Sequence, residues 1–336
     1  MELNNPAPVL DLISAFRRSK TMFTAVSMGI FDRLEKSACD SATLAQELEV
    51  NEDALERLLD ACVGLALLEK LGATYSNSPV GAAYLTRSSP YTLTGYILYS
   101  DRVLWGLWGN LEAAIREGAN RWVQTFGGEV SIFANFFRTE EAQGDFLSGM
   151  NGMGMLSSPA VVAAFDLSRF RRLVDLGGGT GHLALTACQQ HPQLRGAVFD
   201  LLPVVITARK YVESSPDRGR IELIAGDFFA DRLPEADLYS LGRILHDWSE
   251  PKVRTLLAKV WNSLPSGGAL LVAEKLLNDS KSGPASATMQ SLNMLVCTEG
   301  KERTLAEYTV LLREAGFTSI EARVTNSPLD AILAVK

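Results

Sequence analysis

His246 lies in Arg243-Ile244-Leu245-His246-Asp247-Trp248, just past an apolar run that ends at Leu241. Imidazole is the side chain suited to taking a proton near neutral pH. Two acids stand at similar places downstream. Glu274 closes the run Ala269–Ala273, and Glu302 sits in Thr298-Glu299-Gly300-Lys301-Glu302-Arg303-Thr304. A carboxylate beside His246 would orient its ring and support the imidazolium formed on proton transfer. The plainer reading pairs Glu302 with Lys301 or Arg303 and leaves His246 structural. No acid cluster has the sequence spacing of a metal site.

Three features upstream suit a nucleoside. Leu173–Gly181 reads Leu-Val-Asp-Leu-Gly-Gly-Gly-Thr-Gly, and His182–Gln190 then follows a helical pattern. A strand, a tight turn and a helix start open a nucleotide-type α/β sheet. Glycine serves there because a Cβ would keep the backbone from closing on a ligand, and the helix start adds free N–H groups. No Gly-Lys-Ser/Thr follows, so nothing grips a triphosphate. The dinucleotide pattern is met only loosely, from Gly179 through Gly181 to Ala184. Asp200 ends the next apolar run, about 20 residues on, where an acid takes two ribose hydroxyls; capping the segment near Pro203 is its plainer role. Gly226-Asp227-Phe228-Phe229 ends the third. Asp227 would accept from the exocyclic amine of adenine and Phe228 would pack its face; otherwise they are a loop acid and a core aromatic.

These residues need strands to carry them. Candidates are Leu173–Leu176, Gly196–Phe199, Ile221–Ile224, Asp237–Leu241 and Ala269–Ala273, with helical segments between. A helix over Leu305–Ala315 precedes two late strands, Ser319–Val324 and Ala331–Val335, close enough for an antiparallel pair. Such alternation predicts a doubly wound sheet with its ligand at the carboxyl ends of the strands. Ahead of it, Asp11–Lys36 reads as one helix with a stripe of Leu12, Phe16, Phe23, Val26, Ile30 and Leu34, either core or a subunit seam. Ser41–Tyr75 reads as a winged helix-turn-helix. Ser41 caps its first helix, Asn51 caps its second, and Leu67–Leu71, Gly72 and Tyr75 form a hairpin. The second helix carries Glu52, Asp53, Glu56 and Asp60 against Arg57. That charge opposes entry into a DNA groove and favours a dimerisation role. Tyr91, Tyr96, Tyr99, Trp105 and Trp108, then Phe133, Phe136, Phe137, Phe146, Met150, Met153 and Met155, suit helices that bridge to a flat apolar pocket or form ordinary core.

The 336 residues are 47% hydrophobic with a net charge of -7, enough for two globular domains and unsuited to nucleic acid or an anionic membrane. Cys39, Cys62, Cys188 and Cys297 are scattered, which supports neither a zinc site nor a disulfide framework. No run reaches the ~18 apolar residues of a membrane span, and residues 1–20 hold no signal core. The expectation is a cytoplasmic protein.

Asp-Leu-Gly-Gly-Gly-Thr-Gly, Val-Phe-Asp-Leu, Gly-Asp-Phe-Phe, Arg-Ile-Leu-His-Asp-Trp, Leu-Asn-Met-Leu-Val and Gly-Lys-Glu-Arg-Thr, in this order, resemble one series. It is that of the S-adenosylmethionine-dependent small-molecule O-methyltransferases, nearest to the acetylserotonin O-methyltransferase and -like family. The resemblance runs from the first helix through Leu329–Ala334. It implies a Rossmann-like α/β fold with a doubly wound seven-stranded sheet at residues 101–336, of which 101–168 bridge to the substrate pocket. It further implies a winged-helix-like dimerisation domain at residues 1–100 and a homodimer. The cofactor S-adenosylmethionine, leaving as S-adenosylhomocysteine, would be held by Asp175, Gly177, Gly179, Asp200, Gly226, Asp227, Phe228, Arg243 and Phe137. His246 would be the base, flanked by Glu274 and Glu302. Asp247, Asn293, Met294 and Cys297 would meet a small aromatic acceptor, and no metal would be needed. Three departures fall at the pocket: Cys297 stands where a substrate-facing Gln is expected, and Phe137 and Gly154 align where a Tyr and a Trp would lie against the cofactor.

The reading is methyl transfer to an aromatic hydroxyl such as that of N-acetylserotonin, or a quinol or polyketide. Its rivals are a nicotinamide oxidoreductase, a DNA-binding regulator, and a relative that binds the cofactor with altered or lost chemistry.

Overall fold

The computed structural model describes residues 5–127, 137 and 139–336. The chain divides into two compact units, Met1–Trp105 and Gly106–Lys336. Phe133 and Phe136 lie outside the described residues.

In the first unit the expected single helix is two, Ala7–Ser27 and Ile30–Lys36. Gly29 separates them at φ +72°, a left-handed conformation that closes one helix and admits few other residues. The apolar stripe divides with the helices. Val26, Ile30 and Leu34 are buried with Phe31, Leu44, Leu59 and Tyr75. Leu12 and Phe16 are 73% and 54% exposed, beside exposed Val9, Leu10 and Ile13. The next helix, Ser41–Leu48, is capped by Asp40 rather than Ser41, because the Asp40 carboxylate accepts the Thr43 N–H. Asn51 caps Glu52–Gly64 in the same way. Strands β1 (Cys39–Asp40), β2 (Leu68–Leu71) and β3 (Thr74–Asn77) form an antiparallel sheet in the order β1-β3-β2. On Glu52–Gly64, exposed Arg57 is paired with Asp53, so the helix offers no free basic face to a phosphate backbone.

The second unit is a seven-stranded sheet. Its strands are β4 (Arg172–Leu176), β5 (Arg195–Asp200), β6 (Ile221–Ala225), β7 (Leu238–Gly242), β8 (Ala269–Glu274), β9 (Ser319–Arg323) and β10 (Asp330–Val335). They run in the order β6-β5-β4-β7-β8-β10-β9, parallel except for β10, which lies antiparallel between β8 and β9. Alternate residues feed opposite cores, as the pleat requires. Val174, Leu176, Tyr239, Leu241 and Val272 meet the helices Glu250–Ser263 and Leu305–Ala315. Leu173, Val198, Leu238, Leu271 and Ala273 share the other core with Val161 and Leu183, from the helices Glu140–Val162 and His182–Gln190. The chain begins at β4, steps outward to β5 and β6, and then crosses back to β7. The crevice at this reversal, past the carboxyl ends of β4 and β7, is where such a sheet binds ligands. Among the described residues no helix is long and apolar enough to cross a membrane.

Candidate active site

The glycine turn closes over β4. Gly177, Gly179 and Gly181 all have positive φ. A Cβ at Gly177 would fall under 3.0 Å from the Ile244 side chain, whereas one at Gly179 would meet nothing within 4 Å among the described residues. The turn therefore packs on the loop after β7 at one point and faces open space at another. Asp175 is buried beneath it, and its carboxylate accepts from the Ser240 hydroxyl of β7 at 2.6 Å. Burial, together with the nearby Asp200, pushes the Asp175 carboxyl up to about 7 against the effect of that hydrogen bond.

Asp200, at the end of β5, accepts the Gly179 N–H at 2.9 Å and the Leu201 N–H at 2.7 Å. Burial lifts its pKa to about 6 against those two donors. The carboxylate thus ties the turn to β5 while keeping partial exposure. After β6, Asp227 accepts the Phe229 N–H, and its own N–H donates to Asp231. Phe228 stands edge-on to Phe229 and Trp248. Gly226 packs against Phe199, where a Cβ would not fit. Phe137 meets Phe146 edge-on at 6.2 Å.

The loop after β7 begins with Arg243 at φ +56°, a conformation costly for a side chain with a Cβ. Among the described residues its buried Nε has no hydrogen-bond partner. Three residues on, His246 is 4% exposed. Its Nδ1 lies 2.6 Å from Oε1 of Glu302 and 3.1 Å from Oε2 of Glu274. Glu302 takes the hydrogen bond. Glu274 uses its other oxygen to accept the N–H groups of Ile244 and Leu245, at 3.0 and 2.9 Å, and so holds the loop as well as the ring. Nε2 is left 3.6 Å from Oδ1 of Asp247.

Burial alone would drive the proton off His246. The carboxylates of Glu274, Glu302 and Asp247 outweigh it and push the imidazole up to about 10. Burial raises Glu274 to about 7 and Asp247 to about 6, and His246 opposes both shifts. Residues without metal-ligand spacing in the sequence come together in space. His246, Glu274 and Glu302 offer ligand atoms within 4.8 Å of one another, because the sheet gathers residues distant in the chain. Both carboxylates converge on one ring nitrogen, and Glu274 is already engaged by backbone N–H groups. That arrangement suits a shared proton better than a coordinated cation.

The helix Ala285–Cys297 comes near this loop, with Cys297 in electrostatic reach of Asp247. Asn293 Oδ1 accepts the Trp108 indole N–H at 2.9 Å and lies 3.6 Å from Cys297 Sγ. The carbonyl of Cys297 accepts from Trp122 at 2.7 Å. Met294 and Cys297 are buried, and burial holds the Cys297 thiol well above its ordinary range.

The supporting contacts of three residues escaped the sequence reading. Arg303 is buried and donates to the carbonyls of Leu245, Lys301 and Trp248, riveting the His246 loop to the Glu302 segment. Gly300 lets these segments touch, since a Cβ there would fall under 3.0 Å from the His246 carbonyl. Trp122 holds the last turn of Ala285–Cys297. A glycine, an arginine and a tryptophan in a sequence signal none of these contacts.

Residues 108–318 match the O-methyltransferase domain, and residues 10–87 match the O-methyltransferase dimerisation domain. The chain is 40% identical to acetylserotonin O-methyltransferase of Gallus gallus, covering 100% of this chain and 99% of that one. Among solved structures it is similar to human N-acetylserotonin methyltransferase in complex with SAM, with a TM-score of 0.94, 37% identity and coverage of 100% and 99%. It is also similar to PigF with SAH, with a TM-score of 0.90, 27% identity and coverage of 99% and 100%.

Proposed function

Because the chain belongs to the O-methyltransferase family, we propose that it methylates the hydroxyl of a small aromatic acceptor with His246 as general base, using S-adenosylmethionine and releasing S-adenosylhomocysteine. The observation that carries this reading is His246 with Nδ1 on Glu302 and Glu274, at the ligand end of the sheet. The residues present fit the cofactor. The turn is open at Gly179, Asp200 and Asp227 stand at successive strand ends, and Arg243 has a buried Nε awaiting a partner. In this reading Asp175 and Gly177 shape the turn, Gly226 admits the Asp227-Phe228 corner, and Phe137 adds an aromatic wall.

When bound, S-adenosylmethionine supplies an electrophilic methyl carbon on a sulfonium. A phenol has a pKa near ~10 and must lose its proton as attack begins. Glu302 fixes the Nδ1 proton, so Nε2 is the nitrogen that receives it. The flanking carboxylates raise the ring to about 10, so the neutral form that accepts the proton grows as pH rises and the reaction should speed up with it. Glu274, Glu302 and Asp247 stabilise the resulting imidazolium. Holding both reactants aligned supplies much of the remaining acceleration, up to about 7–11 kcal/mol in favourable cases.

The reading of the acceptor rests on the helix Ala285–Cys297. Trp108 and Cys297 claim Asn293 Oδ1, so Asn293 meets an acceptor through its NH₂ and Asp247 through its carboxylate. A hydroxyindole such as N-acetylserotonin fits the likeness to acetylserotonin O-methyltransferase. Cys297 favours the second reading, a quinol or polyketide phenol, because a buried thiol offers little to an amide side arm. Incubation with labelled S-adenosylmethionine and a panel of phenols, hydroxyindoles and quinols tests both. Label transfer to any member supports the activity; cofactor binding without transfer to any of them points to a relative with lost chemistry. We place this protein in the cytoplasm as a homodimer joined through residues 10–87, with the boundary between its two domains near residue 100.

A further inference from the structure

Gly154 lies in the middle of the helix Glu140–Val162, on the side buried with Leu147, Ser157, Ser158 and Val161. A Cβ added to it would fall under 3.0 Å from Cγ, Cδ2 and Nε2 of His182. The imidazole thus occupies the volume a side chain at 154 would need. The ring is anchored there, with Nδ1 2.8 Å from the Ser158 hydroxyl, one turn further along the same helix. A second tie runs beside it, from the Thr180 hydroxyl to Asn151 at 2.9 Å.

The position of His182 matters for binding. It is the first residue of the helix that follows the glycine turn, directly after Gly181, and that helix start is where such a sheet receives its ligand. It lies deep in the fold yet keeps intermediate exposure, and it sits within the electrostatic reach of Arg243. Burial and the Arg243 charge push it down to about 4, so the ring is neutral at ordinary pH. Nε2 has no protein partner among the described residues, in contrast to Nδ1.

Resting on the cofactor reading above, we propose that His182 and Gly154 form one exchangeable pair, in which the His182 ring, seated in the space over Gly154 and anchored by Ser158, supplies the wall of the S-adenosylmethionine pocket. The same wall would otherwise come from a large side chain at position 154. His182 is then a cofactor-binding residue that none of the spacing arguments reaches.

The test is calorimetry with S-adenosylhomocysteine on the full chain. Wild type is titrated first; a wild type that binds none removes the cofactor reading itself, separately from this inference. His182→Ala is expected to bind about tenfold more weakly, as loss of a neutral hydrogen bond and its packing implies. Affinity within about twofold of wild type would make the ring a helix spacer and overturn the proposal. The double variant His182→Ala/Gly154→Trp refills the volume from the other helix and is expected to regain most of the loss. A double variant that binds no better than His182→Ala overturns the exchange. Should circular dichroism show that either variant is unfolded, Ser158→Ala decides instead. It keeps the ring and removes its anchor, so about threefold weaker binding supports the proposal and unchanged binding contradicts it.

Discussion

His246 Nδ1 and Glu302 Oε1 lie 2.6 Å apart in a place almost closed to water. The bond fixes the tautomer, aims Nε2 away from Glu302 and Glu274 and toward Asp247, and raises the proton affinity of the ring. Glu302→Gln would keep an acceptor on Nδ1 and remove the charge. His246 should then titrate about one to three pH units lower, and the rising limb of the rate profile should move down in pH while the slower variant keeps its cofactor affinity. An unmoved profile would show that Glu302 does not govern this proton.

Stability should fall with rising pH in the ligand-free protein. His246 titrates above its unfolded value, to about 10, so its contribution is complete below the unfolded pKa near ~6.5 and is lost as pH rises toward 10. The raised carboxyls of Asp175, Asp200, Asp247 and Glu274, at about 6 to 7, have the same sign at lower pH, since the fold favours their protonated forms. Thermal melting from pH 6.5 to pH 10 should show a declining midpoint, and His246→Gln should flatten the upper part of that decline. A rising midpoint would reverse the sign argued here.

Gly300 sets the distance between the two loops that carry His246 and Glu302. Gly300→Ala pushes on the His246 carbonyl and should cost roughly 1–3 kcal/mol by overpacking. Turnover should drop more than cofactor affinity, because Asp200 and Asp227 stand apart from the strained contact. Equal losses in both would place Gly300 in general folding.

The exposed residues Val9, Leu10, Leu12, Ile13 and Phe16 form an apolar face large for a solvated helix. The wild type should scatter light as a dimer, and Phe16→Asp should shift it toward monomer. A monomeric wild type at micromolar concentration would end that assignment.

Much of the fold was legible because its rules are local. Short apolar runs bounded by Gly, Asp and polar residues mark β4 to β10 to within a residue or so. Such buried strands read as continuous hydrophobic stretches. The break at Gly29 and the Asp40 cap were missed because each turns on one residue's conformation inside a helical pattern. His246 and Glu274 could be picked from strand-end positions and Glu302 from the acidic stretch before the helix Leu305–Ala315, but their convergence on a single nitrogen could not. That depends on Arg303 and Gly300, whose partners are backbone carbonyls, and a sequence does not display carbonyls. The His182–Gly154 fit is invisible for the same reason: it joins two helices through space.

The central claim is that His246 removes the acceptor proton. The measurement is turnover of His246→Ala and His246→Gln on an acceptor found with the panel, alongside calorimetric affinity for S-adenosylhomocysteine. A positioned base contributes ~10²–10⁴. Turnover should therefore fall at least about a hundredfold with cofactor affinity near wild type, and the loss should be smaller for a more acidic phenol. If His246→Ala turns over like wild type, His246 is not the base and the proton leaves by another route.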